Sequence, residues 1–469
     1  MVMCKMDKYI NNIILGDCIG VMKGMPENFV DAIVTDPPYG LAFMGKDWDK
    51  FRIKSVTENQ LISWLGSGMI FNKSSLNEYQ KFSQEWAKEA LRVLKPGGYL
   101  LAFGGARTFH RMFCGIEDAG FEIRDTIIWL YGSGFPKGLN IAKAIDNFLK
   151  TGKANANRTG DGNLRPLGYT KRNFELGYRP DNYGNPNEGV YEITEEEAKK
   201  WIGWNIALKP AYEPIVVARK PISENSIAEN VLKWGTGGLN IDACRIEVDE
   251  PIYRESEKET YKFNGRVTNG SKTRSPKYWE NNKGRYPANV VLDEEAAELL
   301  DQQTGELKSG YMSPDLHKRN KTEGEYESPH GVYGKFKNNY LLETFGDKGG
   351  ASRFFYCAKA TKKERDRGLE KLEPKRMKFI DELEDENEKK LHEFLNTHPT
   401  VKPIRLMKYL VKLVTPPGGI VLDPFAGSGS TLIACKELGI NYIGIEKEVE
   451  YVEIANLRLN AVPDKIPGL

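Results

Sequence analysis

The sequence predicts an α/β fold built on a mostly parallel sheet. Short apolar runs alternate with amphipathic helical stretches along the chain, and two of those runs pass directly into proline- or glycine-marked turns. No repeat at solenoid or propeller spacing interrupts the alternation. Buried strands are expected at 29–35, 99–103, 126–131, 215–218, 420–425 and 442–446, where apolar residues run together too briefly for a helix.

The chain has 469 residues, beyond the ~250–300 at which one hydrophobic core usually stops growing, so one large domain with an insertion or second lobe is expected. Hydrophobic residues make up 40% and charged residues 28%, as in a soluble globular protein. No apolar run approaches the roughly 20 residues of a membrane span, and the first ten residues lack the pattern of a signal peptide, so a cytoplasmic protein without membrane contact is expected. The six cysteines are scattered, without a CxxC pair or a histidine at zinc-ligand spacing, so no metal is expected. A net charge of +2 gives no whole-molecule vote for nucleic acid; any basic surface must be local.

Near the C-terminal end, Ile420–Asp423 reads as a buried strand followed by the turn Pro424-Phe425-Ala426-Gly427-Ser428-Gly429 and a helix continuing through Leu432, Cys435 and Leu438. Gly427 and Gly429 allow backbone to pass close to a ligand. The next strand ends in Glu446, close to the ~20-residue distance at which such an acid meets a ribose. Leu432 stands where a dinucleotide fingerprint requires its third glycine, which argues against NAD or FAD.

Near the N-terminal end, an apolar strand runs into Asp36-Pro37-Pro38-Tyr39, which places those side chains at a strand's carboxyl end, where open α/β sheets keep their sites. An exocyclic amino group delocalises its lone pair into the base ring and is a poor nucleophile until acceptors localise that pair. The Asp36 carboxylate and the Pro37 carbonyl suit the two N–H hydrogens. Two prolines stiffen the loop and remove competing donors. Tyr39 offers a ring on which a base flipped from a duplex can stack.

These two motifs resemble those of the DNA amino-methyltransferases, whose signature is DPPY or a close variant and whose Rossmann-like domain holds S-adenosylmethionine on an FxGxG turn. Here the tetrad comes first and the turn last, as in the permuted β group. The resemblance implies catalytic roles for Asp36, Pro37, Pro38 and Tyr39, and cofactor contacts from Asp423, Phe425, Ala426, Gly427, Gly429 and Glu446. Gly16-Asp17 resembles the segment touching the cofactor adenine, which implicates Asp17. Residues 396–403 resemble the HPTxKP stretch, which places Thr397, Thr400 and Lys402 at the methionine end. Asp at the first tetrad position goes in that family with adenine N6 rather than cytosine N4.

The resemblance also implies an inserted DNA target-recognition region. We expect a catalytic half over 1–221, with an excursion at 150–200, the insertion over 222–348 and a cofactor half over 349–469. Between Pro251 and Asn289 basic residues exceed acidic ones by five, with tyrosines and a tryptophan interleaved, the mixture for phosphate contact and stacking. Arg266, Lys272, Arg274, Lys277 and Arg285 are the candidate DNA contacts. The expected partner is double-stranded DNA; a homodimer and a cognate restriction endonuclease are compatible with the family. A cytosine-C5 enzyme is excluded, because no cysteine follows a proline. An RNA or protein-glutamine methyltransferase with an NPPY-type tetrad and a non-catalytic DNA-binding module are the alternatives.

Overall fold

The computed structural model describes residues 8–40, 73–132, 139–152, 193–247, 252–255, 278–281, 284–308, 326–327, 335–336, 348–358, 362–370, 375–376, 393–396, 398 and 400–463. Nine strands form the main sheet: β1 (Asn12–Leu15), β2 (Val30–Thr35), β3 (Leu94–Phe103), β4 (Glu122–Leu130), β5 (Tyr212–Arg219), β6 (Val290–Asp293), β7 (Tyr356–Ala358), β8 (Ile420–Asp423) and β9 (Asn441–Glu446). Their order is β1-β9-β8-β2-β3-β5-β4-β6-β7. Every pairing is parallel except those of β5, which runs antiparallel to both β3 and β4. The six expected strands are all present. The four-residue β1, the β6 strand and the three-residue β7 lie outside the runs read from the sequence.

The main helices are α1 (Cys18–Lys23), α2 (Lys73–Val93), α3 (Phe109–Asp118), α4 (Ile141–Thr151), α5 (Ile227–Trp234), α6 (Glu294–Thr304), α7 (Ile404–Val414), α8 (Ser430–Leu438) and α9 (Val449–Asn460). Period-two alternation splits the strands between two faces. On β3, Leu100 and Ala102 pack with Trp86 of α2 and Met112 of α3, whereas Leu101 and Phe103 pack with Leu406 and Leu410 of α7. The α2 helix buries Tyr79, Ser83, Trp86, Ala87, Ala90 and Val93, one stripe at helical spacing. The result is a three-layer α/β/α sandwich with the sheet as its core.

Residues 222–247 pack on this sandwich rather than standing apart from it. Asn230 Nδ2 and Thr236 Oγ1 both donate to the carbonyl of Pro96, at 2.8 and 2.6 Å, and Cys244 is buried in the sheet's core. Strand β6 joins the main sheet beside β4. These parts of the 222–348 stretch, expected as an insertion, belong to the sandwich. Of the candidate DNA contacts, Arg266, Lys272, Arg274 and Lys277 lie outside the described residues, as does most of the 150–200 excursion. Among the described residues no helix is long and apolar enough to cross a membrane.

Candidate active site

Register brings the functional loops together. Leu15 pairs with Glu446, Asp423 with Gly444, Leu422 with Ile33, and Thr35 with Ala102. The carboxyl ends of β1, β9, β8, β2 and β3 therefore open at one edge, where α/β sheets place their ligands. Strand β5 runs the other way, so its amino-terminal end, Tyr212-Glu213, arrives at that same edge. A cavity of about 960 Å³ lies there, and Asp17, Asp36, Tyr39, Glu213, Lys402, Phe425, Gly427 and Glu446 are among its lining residues.

The tetrad loop is held from several directions. Tyr79 on α2 donates to the Pro38 carbonyl at 2.9 Å, and Thr108 Oγ1 donates to the Tyr39 carbonyl at 2.7 Å. Gly105 backs the Tyr39 ring, where an added Cβ would come within 3.0 Å of it. The Tyr39 hydroxyl lies 2.7 Å from Asp36 Oδ1 and 3.0 Å from Glu213 Oε2. Burial comes first, then the Asp36 and Glu213 charges, in pushing the Tyr39 phenol well above its usual range, so it remains a proton donor at neutral pH.

Lys402 completes the cluster. Its Nζ donates to Asp36 Oδ2 at 2.6 Å, to the Tyr39 hydroxyl at 3.2 Å, and stands 3.2 Å from Glu213 Oε2. Three acceptors match the three ammonium protons. Burial pulls the Lys402 pKa down, but the two carboxylates outweigh it and hold it above the usual lysine value. Thr400 and Lys402 both line the cavity, and the Lys402 ammonium is bonded there to Asp36. Thr397 lies outside the described residues.

The glycine turn forms the opposite wall. Gly427 has φ +51°, and a Cβ there would meet His398 Nε2 at 2.6 Å; only glycine fits without displacing the imidazole. Gly429, at φ +80°, starts α8 against Ala455 on α9 and is not among the residues lining the cavity. Its role in this geometry is the turn into the helix. Phe425 packs edge-on to Trp86 with ring centroids 5.6 Å apart, and it also lines the cavity. Asp423, 2% exposed, accepts from Thr35 Oγ1 at 2.6 Å and from the Phe425 amide at 3.1 Å. Burial raises its carboxyl pKa to about 6.

The wall fits an adenosyl-sulfonium ligand. Glu446 Oε2 accepts from the Gly427 amide and Oε1 from the Glu448 amide, both at 2.8 Å, and each oxygen retains a lone pair for a ribose hydroxyl. Burial raises the Glu446 carboxyl, while the backbone N–H groups that it accepts from oppose the rise. Ser430 Oγ is buried at the cavity wall with no hydrogen-bond partner among the described residues, a polar atom that a bound ligand would satisfy. Asp17 caps α1, accepting from Gly20 N at 3.0 Å. Among the described residues no group of three or more His, Cys, Asp or Glu is placed to hold a metal.

Two participants escaped the sequence reading. Glu213 sits at the start of its strand, and only the antiparallel direction of β5 brings it to the site. Arg458, 1% exposed, lies beneath the glycine turn and donates from one terminal nitrogen to both the carbonyl and the hydroxyl of Ser428. No local motif marks either one. Arg285, a candidate DNA contact, donates from one terminal nitrogen to the Arg353 carbonyl at 3.2 Å and lies over the Phe354 ring at 5.0 Å.

Fold and site together define a Rossmann-like, S-adenosylmethionine-dependent methyltransferase. The profile of the N6_N4_Mtase family, described as DNA methylase, matches residues 30–457, and the chain belongs to that family. It is 22% identical over 471 residues to type II methyltransferase M.HindIII of Haemophilus influenzae, covering 96% of this chain and 95% of that one. To type II methyltransferase M.HpaI of Haemophilus parainfluenzae it is 31% identical over 138 residues, 29% of this chain and 37% of that one. Among solved structures it aligns with PvuII DNA methyltransferase, specific for cytosine N4, at 11% identity and a TM-score of 0.39, over 95% and 85% of the two chains. A DNA modification methylase of Thermus thermophilus complexed with S-adenosyl-L-methionine aligns at 14% identity and a TM-score of 0.34, over 98% and 95%.

Proposed function

We propose that this DNA methyltransferase methylates adenine N6 of a base flipped out of duplex DNA, with Asp36, Pro37, Pro38 and Tyr39 as its catalytic loop. The observation that carries the reading is that Asp36 and the glycine turn line one cavity, large enough at about 960 Å³ to admit a nucleoside cofactor and a base together. Asp at the first tetrad position supports adenine over cytosine by the family tendency.

S-adenosylmethionine supplies an electrophilic methyl group carried on a sulfonium. In this reading Glu446, Phe425, Ala426, Gly427 and Asp17 hold its adenosine, Thr397 and Thr400 lie toward its methionine, and Asp423 and Gly429 shape the turn. The Pro38 and Tyr39 carbonyls are occupied by Tyr79 and Thr108, so the Pro37 carbonyl and the Asp36 carboxylate are the acceptors assigned to the amino hydrogens. Those two bonds localise the nitrogen lone pair toward the methyl carbon and stabilise the positive charge that grows on nitrogen. Formation of the nitrogen–methyl bond would break the sulfonium's bond to that methyl, returning its electron pair to sulfur, and one N–H proton would leave the nitrogen toward Asp36, which already accepts that hydrogen. Tyr39 presents a partly buried ring to the base.

Arg266, Lys272, Arg274, Lys277 and Arg285 are proposed phosphate or base-edge contacts. A cytoplasmic location, a homodimer and a cognate restriction endonuclease belong to the same reading, the last supported by the type II designation of the relatives. The test is nucleoside mass spectrometry of digested DNA from cells expressing the chain. N6-methyladenine is expected; N4-methylcytosine alone would contradict the adenine assignment.

A further inference from the structure

Asp36 faces a conflict that the catalytic loop cannot resolve by itself. Its Oδ2 accepts from Lys402 at 2.6 Å and its Oδ1 from the Tyr39 hydroxyl at 2.7 Å. An oxygen already accepting a strong hydrogen bond is a weaker acceptor for a second, and the incoming amino group needs a strong one. Withdrawing Tyr39 and Lys402 without another partner would leave a buried hydroxyl and a buried ammonium unsatisfied, each at substantial cost.

Glu213 supplies that partner. Its Oε2 lies 3.0 Å from the Tyr39 hydroxyl and 3.2 Å from Lys402 Nζ, so one oxygen faces the same two donors that occupy Asp36. The Tyr39 hydroxyl carries a single proton. Rotation of that O–H, with no movement of heavy atoms, transfers the bond from Asp36 to Glu213. Side-chain exposures of 6% for Lys402, 17% for Asp36 and 20% for Glu213 place the cluster where charge interactions are only partly screened. Tyr131, just past β4, is a further titratable group near Glu213; burial first, then the Glu213 charge, pushes its phenol up to about 12.

We infer that Glu213 is a positioning residue for methyl transfer: it takes over Tyr39 and Lys402 so that an Asp36 oxygen becomes free to accept the target amino hydrogen. The inference rests on the assignment of Asp36 as that acceptor, and it holds for adenine or cytosine alike. Two carboxylates against one ammonium also leave the cluster with a net negative charge, which suits a cationic sulfonium at the adjoining wall. Glu213 itself touches no reacting atom in this scheme. Its action passes through Tyr39 and Lys402.

The experiment compares the wild-type chain with Glu213→Gln and Glu213→Asp, using transfer of radiolabelled methyl from S-adenosylmethionine to unmethylated amplified genomic DNA, so that no recognition sequence need be known. Glu213→Gln keeps the side-chain shape and removes the charge. Its kcat is expected to fall roughly tenfold or more, the loss of one charge-assisted hydrogen bond. Affinity for S-adenosylmethionine, read by calorimetry, is expected to stay within about threefold of wild type. Removing one of the two carboxylates that raise the Lys402 pKa should move the alkaline limb of the kcat profile to lower pH. Glu213→Asp, with its carboxylate intact, is expected to recover part of the rate and the wild-type alkaline limb. A Glu213→Gln rate within about twofold of wild type with an unmoved limb would overturn the inference. So would a loss matched by weaker cofactor binding that Glu213→Asp does not recover. Failure of the wild-type chain to transfer methyl at all would instead sink the activity from which the inference starts.

Discussion

The molecule uses the dipeptide Asp-Pro twice, on adjacent parallel strands, with opposite outcomes. Asp36-Pro37 follows β2 and Asp423-Pro424 follows β8, and both strands end at the same cavity. The Asp36 carboxylate is turned toward Lys402 and the cavity, whereas Asp423 is buried and bonded to Thr35 and to the Phe425 amide. The residues that follow decide the difference. Phe425 drops into the aromatic pair Phe82 and Trp86 and draws its turn down onto the sheet. Pro38 and Tyr39 are held up by Tyr79 and Thr108, which leaves Asp36 at the surface of the site. One aspartate faces the cavity, where we assign it to the chemistry, and the other clasps two strand ends.

Substitution separates the two roles. Asp36→Ala is expected to lower methyl transfer by roughly a hundredfold to a thousandfold, with thermal unfolding little changed because Glu213 still neutralises Lys402. A rate near wild type would remove Asp36 from the chemistry. Asp423→Ala should do the reverse first: orphaning the Thr35 hydroxyl and the Phe425 amide costs roughly 2–4 kcal/mol, visible as a lower denaturation midpoint. Equal stability would mean that the clasp is not needed.

The Gly427 turn should be sensitive to a single methyl. Its left-handed φ and the 2.6 Å approach of an added Cβ to His398 Nε2 predict that Gly427→Ala weakens S-adenosylmethionine roughly tenfold by calorimetry. Unaltered affinity would show that His398 yields freely. The smallest effect concerns acidity. Because the folded Asp423 carboxyl titrates at about 6 against a usual 3.8, the folded chain holds a proton that the unfolded chain has released. Stability from this group therefore falls as pH rises between those values and stays lower above them. Asp423→Asn cannot ionise, so its melting temperature relative to wild type should climb across that window; a constant difference would place the Asp423 pKa elsewhere.

The sequence displayed both turns because each packs its signal into consecutive residues: an apolar strand, then Asp-Pro, then either Pro-Tyr or a glycine pair. Glu446 was legible for the same reason, ending its strand at a recognisable distance. What stayed hidden depends on direction and distance in the fold. Glu213 sits at the start of its strand rather than at its end, and β5 runs against its neighbours, so the rule that sites follow strands points away from it. Lys402 belonged to a recognisable stretch, yet its bond to Asp36 was hidden, since only the tertiary structure shows that its ammonium reaches that carboxylate across 366 positions of chain. Strand β7, at three residues, is too short to carry a periodic pattern. Arg458 acts from a helix face that reads as ordinary amphipathic surface.

We propose that the loop after β2 and the turn after β8 serve one reaction centre. A crystal structure of the chain with the demethylated product, S-adenosylhomocysteine, is the test. The ribose is expected at Glu446, with the sulfur turned toward the Asp36 carboxylate. A ligand bound elsewhere, or one seated on the glycine turn with its sulfur directed away from Asp36, would contradict it.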